Sequence, residues 1–439
     1  MRQTHALCLG TIAFALFACS ISSAQLTTQE SSSPGSKTSS SVFKADGAIS
    51  HKPVAGNSWV QLAALTPSVP EITSAFGSCV SIDGDTVVVG TSDPNNKFYA
   101  SEAYVFVKPK SGWANMTRAA ILTASDKPEY FASSIAVSGD TIAIGAPKAN
   151  TVYVYVKPAA GWKNMTETAK LTMEGNDSGL GMSVYIAGDT IVAGAPGASS
   201  EGRGAAYVYV KPASGWKSMT QTARLTSSDG VDGDNFGWAV SLNGGTVAAG
   251  APQYPKGDGK AYVFVKPADG WVNMTQTAEL TPTDGASQLG FGASVAIAND
   301  TVAVGEPYGG SEMAEAYVFV KPQSGWANMT QTAKLTASVQ AAWFGLSVAT
   351  TGNLVAVGDY YYGSSNFGNE GATFIYTKPK GGWKDTSHFE ANLTGSDARF
   401  NSDLGWSVAA QGNTVVAGSP GLMSGTNYSG GAFIFFLPE

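Results

Sequence analysis

The sequence predicts an all-β chain: a seven-bladed β-propeller of four-stranded antiparallel blades, closed by an N-terminal strand that completes the last blade. Three observations carry this expectation. A glycine closing an apolar run recurs at Gly90, Gly145, Gly194, Gly250, Gly305, Gly358 and Gly418. The mean spacing is about 55 residues, a period of propellers and related arrays. Every unit places a two-residue turn between two apolar runs, the mark of a tight antiparallel hairpin. The last unit has three strands, and a segment matching the missing fourth lies at the N-terminal side of the region.

The elements follow in order. The first strand is a run such as Phe76-Gly77-Ser78-Cys79-Val80-Ser81-Ile82 or its counterpart from Phe291 to Ile297. The turn pairs are Gly84-Asp85, Gly139-Asp140, Gly188-Asp189, Gly244-Gly245, Asn299-Asp300, Gly352-Asn353 and Gly412-Asn413. All seven put a residue that tolerates positive φ where such a turn needs one. A second run such as Thr86 to Gly90 follows, then a variable loop, then an alternating third strand such as Ala103-Tyr104-Val105-Phe106-Val107. Lys-Pro ends that strand in six units, because proline has no N–H to continue the ladder. A Gly-Trp pair comes next, with Trp113, Trp162, Trp216, Trp271, Trp326 and Trp383, and then a fourth strand like Thr332 to Thr336. The segment Trp59 to Thr66 has the same Trp…Leu-Thr pattern and is expected to pair beside Ala432 to Phe436. Closure of this kind removes open sheet edges. One Trp at the same place in each unit reads as blade packing before it reads as a sugar platform.

Phe-Gly opens the first strand and Gly-Ala-Pro closes the second in Phe236-Gly237…Gly250-Ala251-Pro252. The same pattern runs through Phe131…Gly145-Ala146-Pro147, Leu180-Gly181…Gly194-Ala195-Pro196 and Phe291-Gly292…Gly305-Glu306-Pro307. This resembles the FG-GAP repeat of integrin α-subunit propellers and of bacterial secreted proteins, over about residues 58–439. The resemblance implies a seven-bladed propeller with the first strand innermost, and a role in adhesion or recognition. One departure matters. Integrin-type repeats often carry an Asp-x-Asp-x-Asp-Gly calcium loop between the first two strands, and here that connection is two residues long in every unit. Calcium needs six to eight oxygens from a loop long enough to wrap it, so calcium is not carried over to these turns. The chain looks like a calcium-free bacterial version of the repeat, and no cofactor is expected.

Composition bounds the function. The 439 residues carry 26 Lys+Arg against 33 Asp+Glu, a net charge of −7. A broad nucleic-acid footprint needs clustered basic residues and is excluded on this balance. Three His and three Cys leave little for a His/Cys metal centre or a disulfide framework. Cys79, in an apolar strand, reads as a small buried hydrophobe. Residues 1–24 read as a signal peptide: Arg2, an apolar run from Leu7 to Phe17, then small residues. Ser22 and Ala24 fit cleavage before Gln25. Leu16-Phe17-Ala18-Cys19 instead resembles a lipobox that would make Cys19 the lipid-bearing residue. Residues 25–57 read as a Ser/Thr-rich flexible linker, and 58–439 as the propeller. The expected location is secreted or cell envelope, with membrane contact only through a lipid anchor, and the expected state is a monomer.

The first–second and third–fourth connections fall on one face of such a propeller, and the second–third and blade-to-blade connections on the other. The first face repeats, and its lysines are expected to make the disc electrically two-sided. The second varies, which is where recognition usually sits on a rigid scaffold. Its aromatic residues Tyr254, Tyr308, Tyr360, Tyr361, Tyr362, Phe367 and Tyr428 are candidate ligand contacts, or else rings that cover neighbouring loops. Asp229, Asp232 and Asp234 alternate with glycines and are candidate metal ligands, or else a solvated turn cluster. The ligand expected is a protein or a carbohydrate. An extracellular hydrolase or lyase using loop carboxylates and a passive envelope scaffold are the alternatives, and the chain shows no G-x-S-x-G elbow or phosphate loop to favour an enzyme. The recurrent Asn-x-Thr triplets at Asn115, Asn164, Asn273 and Asn328 are given no function.

Overall fold

A Gly-Asp pair at a two-residue turn folds the chain back on itself wherever the first residue takes a left-handed conformation. Gly188 (φ +56°) does so between Ala187 and Thr190, and Asn299 (φ +53°) does the same in another unit. The computed structural model describes residues 58–438 except 68–74, 92–100, 117, 176–177, 198–201, 254–256, 285–289, 309–313, 338–341, 364–368, 397–400 and 425–426. Everything expected of residues 1–57, including the leader, the linker and Cys19, lies outside the described residues.

The described residues form seven blades, each built on four antiparallel strands that run in sequential order in six of them; two of these sheets gain a short fifth strand paired in parallel, and a separate two-stranded hairpin stands beside them. Blade 3 is typical, with Ser183–Ala187 innermost, then Thr190–Ala195, Ala205–Val210 and Ala223–Thr226. Blade 7 breaks the sequence order. Its strands are Ser407–Gln411, Thr414–Ser419, Gly431–Phe436 and, outermost, Val60–Leu65. Val60 lies opposite Phe436 and Leu65 opposite Ala432, with a register shift between Gln61 and Ala63. Among the described residues no helix is long and apolar enough to cross a membrane.

The core is a set of layers between blades. One holds Val152 and Val154 of blade 2 against Ala193 and Tyr207 of blade 3. Another holds Leu65 and Ile434 of blade 7 against Phe76 and Tyr104 of blade 1. In five blades the repeat phenylalanine meets the third-strand aromatic of its own blade, as Phe236 meets Tyr262 at 5.5 Å. Edge-to-face pairs of this kind add about 0.5–1.5 kcal/mol beyond burial. Trp162, Trp216, Trp271, Trp326 and Trp383 are 5–8% exposed, as packing residues should be.

The two glycines of the repeat meet across six of the seven seams, and at the seam of blades 1 and 2 Gly90 meets Ala132. A Cβ on Gly194 would lie 1.8 Å from the carbonyl oxygen of Gly237 in the next blade. Gly237 N–H donates to Gly250 O at 2.9 Å, and Ser183 Oγ donates to Gly237 O at 3.0 Å. The same serine bond recurs from Ser134 to Gly181, Ser294 to Gly345 and Ser347 to Gly405. Ser407 makes it to Gly77 at 2.9 Å, so blade 7 grips blade 1 as any blade grips its neighbour. At the first seam Cys79 replaces the serine and its thiol donates to Ala132 O at 3.0 Å. Burial pushes that thiol up to about 12, which leaves it a packing group with no thiolate character at neutral pH.

The Asn-x-Thr triplets form a second tie at the rim. Asn164 Oδ1 accepts from Ile121 N–H at 2.8 Å, Asn273 Oδ1 from Arg224 N–H at 2.8 Å and Asn328 Oδ1 from Glu279 N–H at 2.9 Å. Met274–Thr275 and Met329–Thr330 then pair in parallel with the outer strand of the preceding blade. Two residues on, a glutamine side chain accepts from the next loop, as Gln331 Oε1 does from Thr283 N–H at 2.9 Å. Gln61 Oε1 does the same with Ser396 N–H at 2.8 Å. That equivalence corrects the reading of Trp59: it stands at the methionine position of the rim tie, not at the hairpin Trp of the other units.

The repetitive face is also less positive than expected. Its lysines sit against the hairpin aspartates: Lys108 on Asp85, Lys157 on Asp140, Lys211 on Asp189 and Lys321 on Asp300, at 2.5–3.6 Å.

Candidate functional site

The residue after the repeat glycine ends the second strand at the variable face. It is Ala146, Ala195 and Ala251 in blades 2–4 but Thr91, Glu306, Asp359 and Ser419 in the other four. Small residues fit a close seam, so an acid there needs partners. Asp359 is fully buried. Its Oδ1 accepts the Tyr361 N–H at 3.0 Å, and the carboxylate also receives backbone hydrogen bonds from Trp343 and Tyr362. Its Oδ2 has no partner. Burial pushes this carboxyl up to about 6 in spite of those bonds.

Five rings meet one another near this end of the strand. Tyr308 meets Trp343 at 5.3 Å, Trp343 meets Tyr360 at 5.5 Å, and Tyr360 meets Trp406 at 5.0 Å and Tyr361 at 6.1 Å. They come from the second–third loops of blades 5 and 6 and from the openings of blades 6 and 7. Tyr360 is the buried centre at 7% exposure, and Tyr361 is exposed at 36%. Tyr308, Trp343 and Trp406 are half-buried. The rings are tilted or edge-on to one another and in contact. They form one contiguous aromatic platform. Asp403, half-buried in the loop before Trp406, acts electrostatically on Tyr360, and burial pushes its carboxyl up to about 7.

The candidate aromatics therefore part company. Tyr308, Tyr360 and Tyr361 share the platform. Tyr362 turns inward against Phe374 at 5.3 Å and belongs to a core layer. Tyr428 lies in a short hairpin strand, Asn427–Tyr428, paired with Met423–Ser424 in blade 7. Tyr254 and Phe367 lie outside the described residues. Trp343 and Trp406 escaped the sequence reading. Their signal was position: one immediately precedes Phe344-Gly345 and the other immediately follows Leu404-Gly405.

The three candidate metal ligands do not converge. Asp229 pairs with Lys260 at 2.5 Å and accepts from Tyr262 Oη at 3.0 Å. Asp232 pairs with Arg203 at 3.1 Å. Asp234 is 2% exposed and accepts from Val231 N–H at 2.7 Å and Gln253 Nε2 at 2.9 Å. Among the described residues no group of three or more His, Cys, Asp or Glu is arranged to hold a metal. Asp229 belongs instead to a recurrent network of loop acid, third-strand tyrosine and lysine. Asp126 has Tyr153 and Lys170, and Asp284 has Tyr317 and Lys334. Burial raises these three carboxyls, but the lysine and tyrosine bonds outweigh it and hold them below their usual range.

Blade 5 carries a variant of that network. The Tyr317 hydroxyl lies 2.9 Å from Glu306 Oε2, 2.5 Å from Glu315 Oε2 and 3.2 Å from Asp284 Oδ1. One phenolic proton cannot serve three carboxylates. Glu306 is 2% exposed, its Oε1 has no partner, and burial pushes it up to about 7.

Two clefts open on the opposite, repetitive face. One, of about 370 Å³, lies between blades 2 and 3 and is bordered by Asp140, Asp189, Lys211 and Trp216. The other, of about 530 Å³, lies between blades 6 and 7 and is bordered by Asn353, Lys378, Asn413 and Leu437.

A family model described as the FG-GAP repeat matches residues 59–106, 116–156, 165–209, 219–264, 274–319, 329–376 and 388–435. Each match starts at the outer strand or rim tie of one seam and ends on the third strand of the next blade, so the sequence unit is one strand out of step with the blade. No curated protein matches the chain. The seven matches take up more than half of the sequence and correspond to the seven sheets, and the chain belongs to the FG-GAP repeat family.

Proposed function

We propose that this propeller is a non-catalytic recognition or adhesion module of the cell exterior, and that it binds a protein or polysaccharide surface through its variable face. The observation that carries the reading is the platform of Tyr308, Trp343, Tyr360, Tyr361 and Trp406. Trp and Tyr give large contact area at low entropy cost, and an aromatic patch at the centre of a contact is the usual form of a binding hot spot. The loops that build it vary between blades, while the opposite face repeats. Export by the N-terminal segment, free or lipid-anchored at Cys19, would place this face outside the cell. The test is a binding assay of the full chain against glycan arrays and surface-protein fractions, repeated with Trp343→Ala and Tyr361→Ala together. Loss of about a hundredfold in affinity is expected for a hot-spot pair. Unchanged binding would remove the platform as the site.

A further inference from the structure

This inference concerns the repetitive face and does not rest on the aromatic platform. The clefts between blades 2 and 3 and between blades 6 and 7 are one groove in two versions. Each runs from the hairpin of one blade to the hairpin and third-strand end of the next. The backbones correspond. Lys157 and Lys211 donate their N–H to Asp140 O and Asp189 O at 2.8 Å, as Lys378 and Leu437 do to Asn353 O and Asn413 O at 2.8 and 3.0 Å. The charges do not correspond. Between blades 2 and 3, Asp140 takes Lys157 at 3.2 Å and Asp189 takes Lys211 at 2.5 Å, so two acids and two lysines cancel. Between blades 6 and 7, asparagine stands for both aspartates and Leu437 for the second lysine. Lys378 is exposed and has no ion-pair partner among the described residues. No described Asp or Glu borders this cleft, and Glu390, which accepts the Thr377 hydroxyl, is not on its border.

The result is a recess of about 530 Å³ with one uncompensated cation, two amides and an apolar wall at Leu437 and Pro379. Few polar groups on an otherwise apolar lining are the make-up of a small-ligand site. We infer that this cleft takes one acidic sugar, a hexuronate residue of an oligosaccharide, with its carboxylate on Lys378 and its hydroxyls on Asn353 and Asn413. One carboxylate matches one ammonium, and amides both donate and accept, as ring hydroxyls require. A phosphate group would bring nearly two negative charges to a single lysine. The net charge of −7 repels anions from the chain at large, so the local cation is what holds this one.

The test is calorimetry on the full chain, with trigalacturonate as the probe and its methyl ester and inorganic phosphate as comparators. Trigalacturonate is expected to saturate one site, and the ester to bind at least tenfold more weakly. Lys378→Gln should weaken trigalacturonate about tenfold. Asn353→Asp, which restores the acid that four other hairpins carry, should weaken it as much by pairing with Lys378. Lys266→Gln removes the other Lys-Pro lysine whose hairpin has no aspartate, and there the affinity should hold. Equal weakening by Lys266→Gln, no weakening by either blade 6 variant, or no binding of trigalacturonate overturns the inference. Phosphate binding that depends on Lys378 while trigalacturonate fails to bind marks a simple anion site and overturns the sugar. If trigalacturonate responds to Trp343→Ala with Tyr361→Ala but not to Lys378→Gln, it sits on the platform, and this inference falls while the proposed function stands.

Discussion

The buried carboxylate of Asp359 accepts the backbone N–H of Tyr361 at 3.0 Å, and through that bond one residue of the second strand sets the path of the aromatic loop. Three other blades hold alanine at this position, so Asp359→Ala should leave the propeller folded and remove only the acceptor. Losing it leaves backbone N–H groups unsatisfied, worth about 1–3 kcal/mol of local opening. Hydrogen exchange at Tyr361 should then speed up about ten- to a hundredfold in Asp359→Ala, while Asp359→Asn, which keeps an oxygen, retains most of the protection. Equal exchange in wild type and Asp359→Ala would show that the loop is held by its rings alone.

Glu306 gives the chain a pH dependence of stability with an unusual sign. Its folded carboxyl is pushed up to about 7 from an ordinary value near 4.5, so the native state holds its proton more tightly than the unfolded chain. The resulting stabilisation is present in full below the unfolded value and is lost as pH rises through 7. Asp359, pushed up to about 6, and Asp403, pushed up to about 7, act in the same direction. The lysine-paired Asp126, Asp229 and Asp284 are held low and act in the opposite direction only in acid. The protein should therefore melt higher at pH 5.5 than at pH 8. Glu306→Gln should reduce that difference by its own share and leave the part due to Asp359 and Asp403, with about 3 kcal/mol as the upper bound from the one group. A melting temperature that falls steadily between pH 8 and 5.5 would contradict this.

The blade count, the hairpins and the strand that completes blade 7 were legible because each repeats at a fixed place with its own local chemistry. What was not legible depends on contacts between repeats. Ser134 and Ser183 look like solvent-facing strand residues in sequence, and only the approach of Gly181 and Gly237 makes them seam ties. Asn164 looks like a glycosylation triplet, and only the outer strand of the neighbouring blade makes it a rim bond. The platform was half visible for the same reason. Tyr360 and Tyr361 stand out as a run in a variable loop, whereas Trp343 and Trp406 sit in different repeats and meet only around Tyr360. The acids of Asp229 to Asp234 left a metal site and a turn cluster both open, because spacing along the chain does not reveal Lys260, Arg203 and Gln253.

The seam glycines are the least replaceable residues of the fold. A Cβ on Gly194 would come to 1.8 Å from Gly237 O, backbone against backbone, so neither side can rotate away. Gly194→Ala should separate blades 3 and 4 and destabilise the chain by more than about 3 kcal/mol. The comparison is Gly188→Asn. That position is open, its φ is +56°, and Asn299 already plays the same part in blade 5. Asparagine tolerates the left-handed region, so this change should stay within about 0.5 kcal/mol of wild type. Thermal unfolding of the two variants side by side separates the steric demand of a seam from the conformational demand of a turn.

Closure of the ring can be weighed with two leucines. Leu65, on the strand that enters blade 7 from the N-terminal side, and Leu171, on the outer strand of blade 2, are both fully buried and hold corresponding register positions. Leu65 lies opposite Ala432, and Leu171 opposite Val152. A buried Leu→Ala change costs about 2–5 kcal/mol, with the spread set by how far the site can collapse. If Val60–Leu65 is as firmly built in as any other outer strand, Leu65→Ala and Leu171→Ala should lower stability by similar amounts in denaturant unfolding. Blade 7 would then report the same transition as the rest of the ring. If the strand were only loosely attached, Leu65→Ala would cost far less than Leu171→Ala. The edge of Gly431–Phe436 would then open first, and its unpaired backbone would make the chain aggregate at concentrations where Leu171→Ala stays in solution.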